Sequence, residues 1–194
     1  TAFQTSRDRA SIERFERISA LRFTPNRDAS LQTQYFMDMV IQMSARPGAD
    51  DRLEADPDLL LLVFAQQLAA LEEMRARNPV RPSGISLRDA AFIEEVQAVY
   101  IPLAARFGLR DIADDLGDQI LLLRDPEEFA RVTREMSRVV RMHYREMPRH
   151  AAELQQRLNE ALQQAGIQAR VAVRWKRPYS IHEKIQSGET GLMD

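Results

Sequence analysis

Cysteine is absent from the 194 residues, which excludes disulfide staples and thiolate metal sites. Long apolar runs are missing too. The longest, Leu59–Ala65, is far short of the roughly 20 residues needed to cross a bilayer. The first residues, TAFQTSRDRAS, lack the charged-then-apolar layout of a secretory leader. These absences predict a chain of the reducing cytoplasm with no membrane partner. No glycine-rich phosphate loop and no serine–histidine–aspartate set can be read from the order of residues. The scarcest common residue is lysine. Of 27 basic residues only Lys176 and Lys184 are lysines, and the single tryptophan, Trp175, adjoins the first of them.

What is present describes a globular, helical protein. Hydrophobic residues make up 44% of the chain, enough to bury a core, and charged residues 29%. The net charge is −2, and in residues 1–165 nearly every arginine has an acid close by, as in RDRASIERFER and DPEEFARVTRE. That is the pattern of solvated helix faces with i,i+4 pairs. A duplex-binding protein gathers its positive charge on one face instead, so direct nucleic-acid binding is not expected.

Helix punctuation recurs along the chain. Asp56-Pro57 offers a capping acid before a proline at the first helical position, followed by apolar residues from Leu59 to Met74. Residues 78–84, NPVRPSG, read as a breaker. Ser86 and Asp89 form a capping box for a helix that should run to Gly108, its C-terminal cap. A further helix is predicted over 109–123, and Asp125-Pro126-Glu127-Glu128 opens the next. There Phe129, Val132, Met136 and Val139 keep a helical period until Pro148, which should kink or interrupt it. The helix then resumes with Leu154, Leu158 and Leu162 on one face and ends at Gly166. Gln168–Arg174 alternates, with Ala169, Val171 and Val173 on one side, and is predicted to be the one β-strand. Met37, Met39 and Met43 read as core packing. Asp111, Asp114, Asp115 and Asp118 read as a solvated stripe, with a docking surface for another domain as the alternative, and His143, Glu146 and His150 as surface residues rather than a metal site.

The C-terminal window differs from the rest. Between Arg170 and Lys184 stand Arg170, Arg174, Lys176, Arg177, His182 and Lys184 against the single acid Glu183. On a strand ending at Arg174, Arg174 and Lys176 would leave on the same side. Ser180 and Glu183 spell a capping box, which predicts a helix beginning near Ser180 with Lys184 one turn further on. A helix N-terminus beside lysines and a forked arginine suits a polyphosphate. A basic edge strand protected from aggregation is the bland alternative.

The residues R-W-K-R-P-Y-S-I-H-E-K resemble the opening motif of the RelA/SpoT alarmone synthetase domain, roughly G-R-x-K-x-x-Y-S-I-x-x-K. Arg174, Lys176, Tyr179, Ser180, Ile181 and Lys184 match, and Val173 replaces the usual glycine. Upstream, YIPLAARFGLRDIADDLGDQILLLRDPEEFARV resembles the helical connector of that family, and TQYFMDMVIQM (33–43) one of its helices. The resemblance covers roughly residues 13–194. It implies a mainly α chain: C-terminal helices of a degenerate HD-type hydrolase domain over 1–80, a helical connector over 81–166, and the start of an α/β nucleotidyltransferase-like synthetase over 167–194.

By that resemblance the parent enzyme is a GTP pyrophosphokinase making (p)ppGpp from ATP and GTP or GDP. Arg174, Lys176, Ser180 and Lys184 would hold the ATP phosphates, with Mg²⁺ accompanying ATP. DLLLLVFAQQLAAL aligns with the late metal motif of the family's hydrolase, but Gln66 stands where the metal-binding aspartate belongs and Ala69-Ala70 where a His-Asn pair belongs. A neutral amide cannot replace that carboxylate, so hydrolase activity is not expected. The acids of the synthetase would lie beyond Met193, so no catalytic residue is assigned within this chain, which is expected to be inactive alone as part of a longer enzyme. Contact with other domains of the parent is implied. The competing expectations are a non-catalytic docking or regulatory module, and an unrelated helical protein with a chance basic end.

Overall fold

The computed structural model describes residues 2–21, 29–47, 53–77 and 85–188. The chain is mainly helical and divides into two compact units, Thr1–Asp125 and Pro126–Asp194. The division falls inside the span read as connector, because α4 to α6 complete the first unit's core rather than forming a body of their own.

The first unit contains α1 (Ala2–Ala20), α2 (Ala29–Ser44), a short antiparallel pair β1 (Ala45–Pro47) and β2 (Leu53–Ala55), α3 (Pro57–Arg77), α4 (Leu87–Glu95), α5 (Ile101–Arg106) and α6 (Arg110–Arg124). The β1–β2 pair has no counterpart in the sequence reading. Asp56 opens α3 as expected: the Leu59 N–H donates to its carboxylate at 3.4 Å, and Arg14 of α1 reaches the other oxygen at 3.4 Å. The run Leu59–Phe64 is split by the helical period. Leu59, Leu60, Val63 and Phe64 are buried, while Leu61 and Leu62 face outward. With Ile18, Phe36, Met37, Val40, Leu71, Tyr100, Leu103, Leu116 and Ile120 they form one continuous core. Met39 lies half-buried against it; the Met43 side chain and the breaker 78–84 fall outside the described residues.

Ser86 caps α4 as predicted. The Asp89 N–H donates to Ser86 Oγ at 3.1 Å, and the hydroxyl donates back to Asp89 Oδ2 at 2.8 Å. The helical run continues to Arg106 but not uniformly, for Val96–Tyr100 widens into a π-turn in which the Ile101 N–H reaches the Val96 carbonyl. Pro102 accounts for the widening, since it has no N–H for the Ala98 carbonyl and crowds it. Gly108, at φ +74°, ends the run in a Schellman turn, with Leu109 N–H on Ala104 O (2.9 Å) and Gly108 N–H on Ala105 O (3.1 Å).

The aspartate stripe is solvated only in part, with Asp111 exposed and Asp115 half-buried. Asp114 and Asp118 are buried on α6, as is Glu95 on α4, because α6 is covered by α3 and α5. Such carboxylates are stable inside only when their charge is met, and each of the three engages another group.

The second unit contains α7 (Pro126–His143), α8 (Glu146–Gln164) and α9 (Pro178–Gln186). The break between α7 and α8 falls at Tyr144-Arg145, not at Pro148, which sits in the first turn of α8 where a missing N–H costs nothing. Gly166 closes α8 in a second Schellman turn, Ile167 N–H on Leu162 O at 2.8 Å. Gln168–Arg174 does not form the predicted strand. Among the described residues no second strand lies beside it, and a lone strand leaves its ladder groups unmet. The Gln155 side chain of α8 instead donates to the Val171 carbonyl at 2.7 Å.

The split of the apolar run into two faces sets a direct test. Phe64→Ala should lower unfolding stability by about 3–5 kcal/mol through the cavity it leaves, whereas Leu62→Ala should cost less than about 0.5 kcal/mol. Urea titrations of both variants check the difference.

Candidate functional site

Helix α9 begins three residues earlier than a Ser180 cap in the S-x-x-E motif would set it. Arg177 is its N-cap, in extended conformation (φ −86°, ψ 161°) and without a side-chain cap bond, and Pro178 opens the first turn. The proline decides the start. It forces the preceding residue out of the helical region and is itself preset for the first helical position. Ser180 is therefore inside the first turn rather than capping it, and the predicted capping box with Glu183 does not form.

The four predicted phosphate-binding residues are distributed over two kinds of backbone. Arg174 and Lys176 are exposed in the irregular segment leading into α9, while Ser180 and Lys184 are half-buried on the helix. Without a strand, nothing forces Arg174 and Lys176 onto one side. Ser180 and Lys184, four residues apart, share a face within about 40° of helical rotation. None of the four is without an interaction in the fold.

A polar constellation that sequence reasoning missed joins α9 to α7. His182 Nδ1 lies 3.2 Å from Glu128 Oε1, and Arg131 clamps the same carboxylate with Nε to Oε2 at 2.6 Å and Nη2 to Oε1 at 2.7 Å. A carboxylate accepts only, so Nδ1 carries the proton in this contact. The Glu128 and His182 side chains are each 18% exposed. The hydrogen bonds from Arg131 pull the Glu128 carboxyl down from the ordinary 4.5 to about 2, with His182 adding to them against the opposing push of burial. Glu128 in turn raises the Arg131 guanidinium further. Glu128 and Arg131 were visible as an i,i+3 pair, but their partner is 54 positions away.

On α3, Gln66 accepts a hydrogen bond from Ser19 Oγ at 2.6 Å, so this amide ties α1 to α3. His143 Nδ1 lies 3.4 Å from Glu146 Oε2 at the surface. Among the described residues no group of three or more histidines and carboxylates is arranged to hold a metal ion, and no helix is long and apolar enough to cross a membrane.

Comparison with known proteins finds a distant, partial relative. The chain is 27% identical over 132 residues to the GTP pyrophosphokinase rsh of Brucella melitensis biotype 1, a match that takes in 66% of this chain. It spans 17% of that relative's length. No family profile matches the chain.

The depressed Glu128 carboxyl has a definite sign. Its contribution to stability is full above the unfolded value near 4.5 and is lost as the pH falls through about 2. Glu128→Gln should remove that part of the acid dependence. Urea titrations at successive pH values through this window should give a shallower slope for the variant, and an unchanged slope would show that the carboxylate contributes nothing there.

Proposed function

We propose that this chain is part of a RelA/SpoT-type GTP pyrophosphokinase and that its C-terminal segment binds the polyphosphate of ATP. The observation that carries the reading is the placement of both lysines around α9. Lys176 stands in the approach to the helix, and Lys184 shares a face with Ser180. The matched motif and the distant similarity to a GTP pyrophosphokinase support it. The domain reading goes with it: residues 1–80 as degenerate hydrolase helices, 81–166 as connector and 167–194 as the start of the synthetase.

In this reading Lys176 and Lys184 neutralise phosphate oxygens as point charges, Arg174 grips them as a planar fork, and the Ser180 hydroxyl donates to one of them. The positive end of α9 favours the same charge. The reaction served is transfer of a diphosphate. The ribose 3′-hydroxyl of GTP or GDP attacks the β-phosphorus of ATP, the bond from the α,β-bridging oxygen to the β-phosphorus breaks, and AMP leaves. The hydroxyl proton passes to a base that the resemblance places beyond Met193. Basic residues of this chain stabilise charge on the transferred group, the usual route to accelerating phosphoryl chemistry. Magnesium arrives as the counter-ion of ATP, and the role assigned to these residues does not depend on their holding it.

Calorimetry of the full-length protein with ATP and Mg²⁺ tests the site. The wild type should bind with a dissociation constant on the order of micromolar. Lys176→Ala and Lys184→Ala should each weaken binding roughly tenfold or more, the cost of a lost hydrogen bond between charged groups. Absence of binding in the wild type would favour a non-catalytic docking module instead.

A further inference from the structure

Helix α9 has nine residues, none fully buried, and no side-chain cap at its start. A helix so short is not stable by itself, and its orientation must come from a neighbour. The neighbour is α7. Between them stands the tie already described, in which Glu128 receives His182 from α9 and Arg131 from its own helix. The position of His182 on α9 gives the tie a direction. At about 100° per residue, Ser180 and Lys184 each lie about 160° from His182. The face bound to α7 is thus opposite the face carrying the two proposed phosphate ligands.

We propose that Glu128, oriented by Arg131, is a positioning residue for the nucleotide site: through His182 it sets the rotation of α9 about its axis and so aims Ser180 and Lys184 at the phosphates. The inference rests on the ATP-binding reading given above. Glu128 touches no substrate, and neither does His182; both act through the helix. Arg131 contributes by holding both carboxylate oxygens, which fixes the plane in which Oε1 faces Nδ1. A lone glutamate would be free to rotate and could accept from His182 in many geometries. The clamped one accepts in few.

The test compares ATP affinity, again on the full-length protein with Mg²⁺, across three variants. His182→Ala removes the donor. His182→Asn keeps an N–H close to the place of Nδ1, so it separates the hydrogen bond from the bulk of the ring. Glu128→Gln keeps the size but weakens the grip of Arg131. His182→Ala should weaken ATP binding about tenfold and His182→Asn less than about threefold, in keeping with hydrogen bonds to charged groups. Glu128→Gln combined with His182→Ala should cost no more than the worse single variant, since both break one contact. Fluorescence of Trp175, the sole tryptophan and outside the tie, reports in the absence of nucleotide whether the approach to α9 has moved. It should shift in His182→Ala and return in His182→Asn.

Three results would overturn the inference. His182→Ala binding ATP as the wild type does would remove the positioning role while leaving the site intact. His182→Asn as weak as His182→Ala, both folded by circular dichroism, would show that ring packing rather than the hydrogen bond matters. A wild type that binds no ATP would overturn the proposed site itself and the positioning role with it, a failure distinct from the other two.

Discussion

The second unit depends on how one mostly covered charge is met. Glu128 keeps its carboxylate ionised although little of the side chain reaches water, and it does so because at least three N–H groups converge on it. The surroundings explain why this matters. Val132 is the one fully buried residue among those described from 126 onward. Burial of apolar area is the usual source of stability, roughly 25 cal/mol per Å², and little of it is available there. A charge-assisted hydrogen-bond cluster in a half-covered site carries directional information that a thin apolar contact lacks. It links α7 to α9 in a definite relation.

The first unit is built on the opposite principle. Its core runs from Ile18 to Leu123 through every long helix, and the carboxylates that enter it meet other groups. Asp56 meets a helix N-terminus and Arg14, while Glu95, Asp114 and Asp118 are drawn inside with partners of their own. Gln66 is hydrogen-bonded to Ser19 in a helix-to-helix contact at the surface.

Much of the helical layout was legible because helix ends are written in local chemistry. Asp56-Pro57, Ser86 with Asp89, Gly108 and Gly166 each stop or start a helix through groups within four residues, and each does so in the structure. Errors arose where two local signals competed or where the decisive partner was remote. At α9 the proline at 178 overrode the S-x-x-E motif, since backbone restriction precedes any side-chain bond. Near 100 the helix survived, but Pro102 widened it. Gln168–Arg174 has the alternation of a strand and no neighbour among the described residues with which to make one. The aspartate stripe of α6 has the spacing of any polar face, and only the helices beside it place Asp114 and Asp118 inside.

The candidate site divides in the same way. The concentration of both lysines between residues 176 and 184, their spacing from Tyr179 and Ser180, and the pairing of Glu128 with Arg131 are properties of the linear chain, because side chains within one turn meet whatever the rest of the protein does. That Ser180 shares a face with Lys184 follows as soon as a helix is granted. The contact between His182 and Glu128 could not be read in advance. It joins residues 54 positions apart, and only the approach of α9 to α7 brings an imidazole N–H within 3.2 Å of a carboxylate oxygen. Local order determined which basic groups gather around α9, and tertiary packing decided which side of the helix would be held.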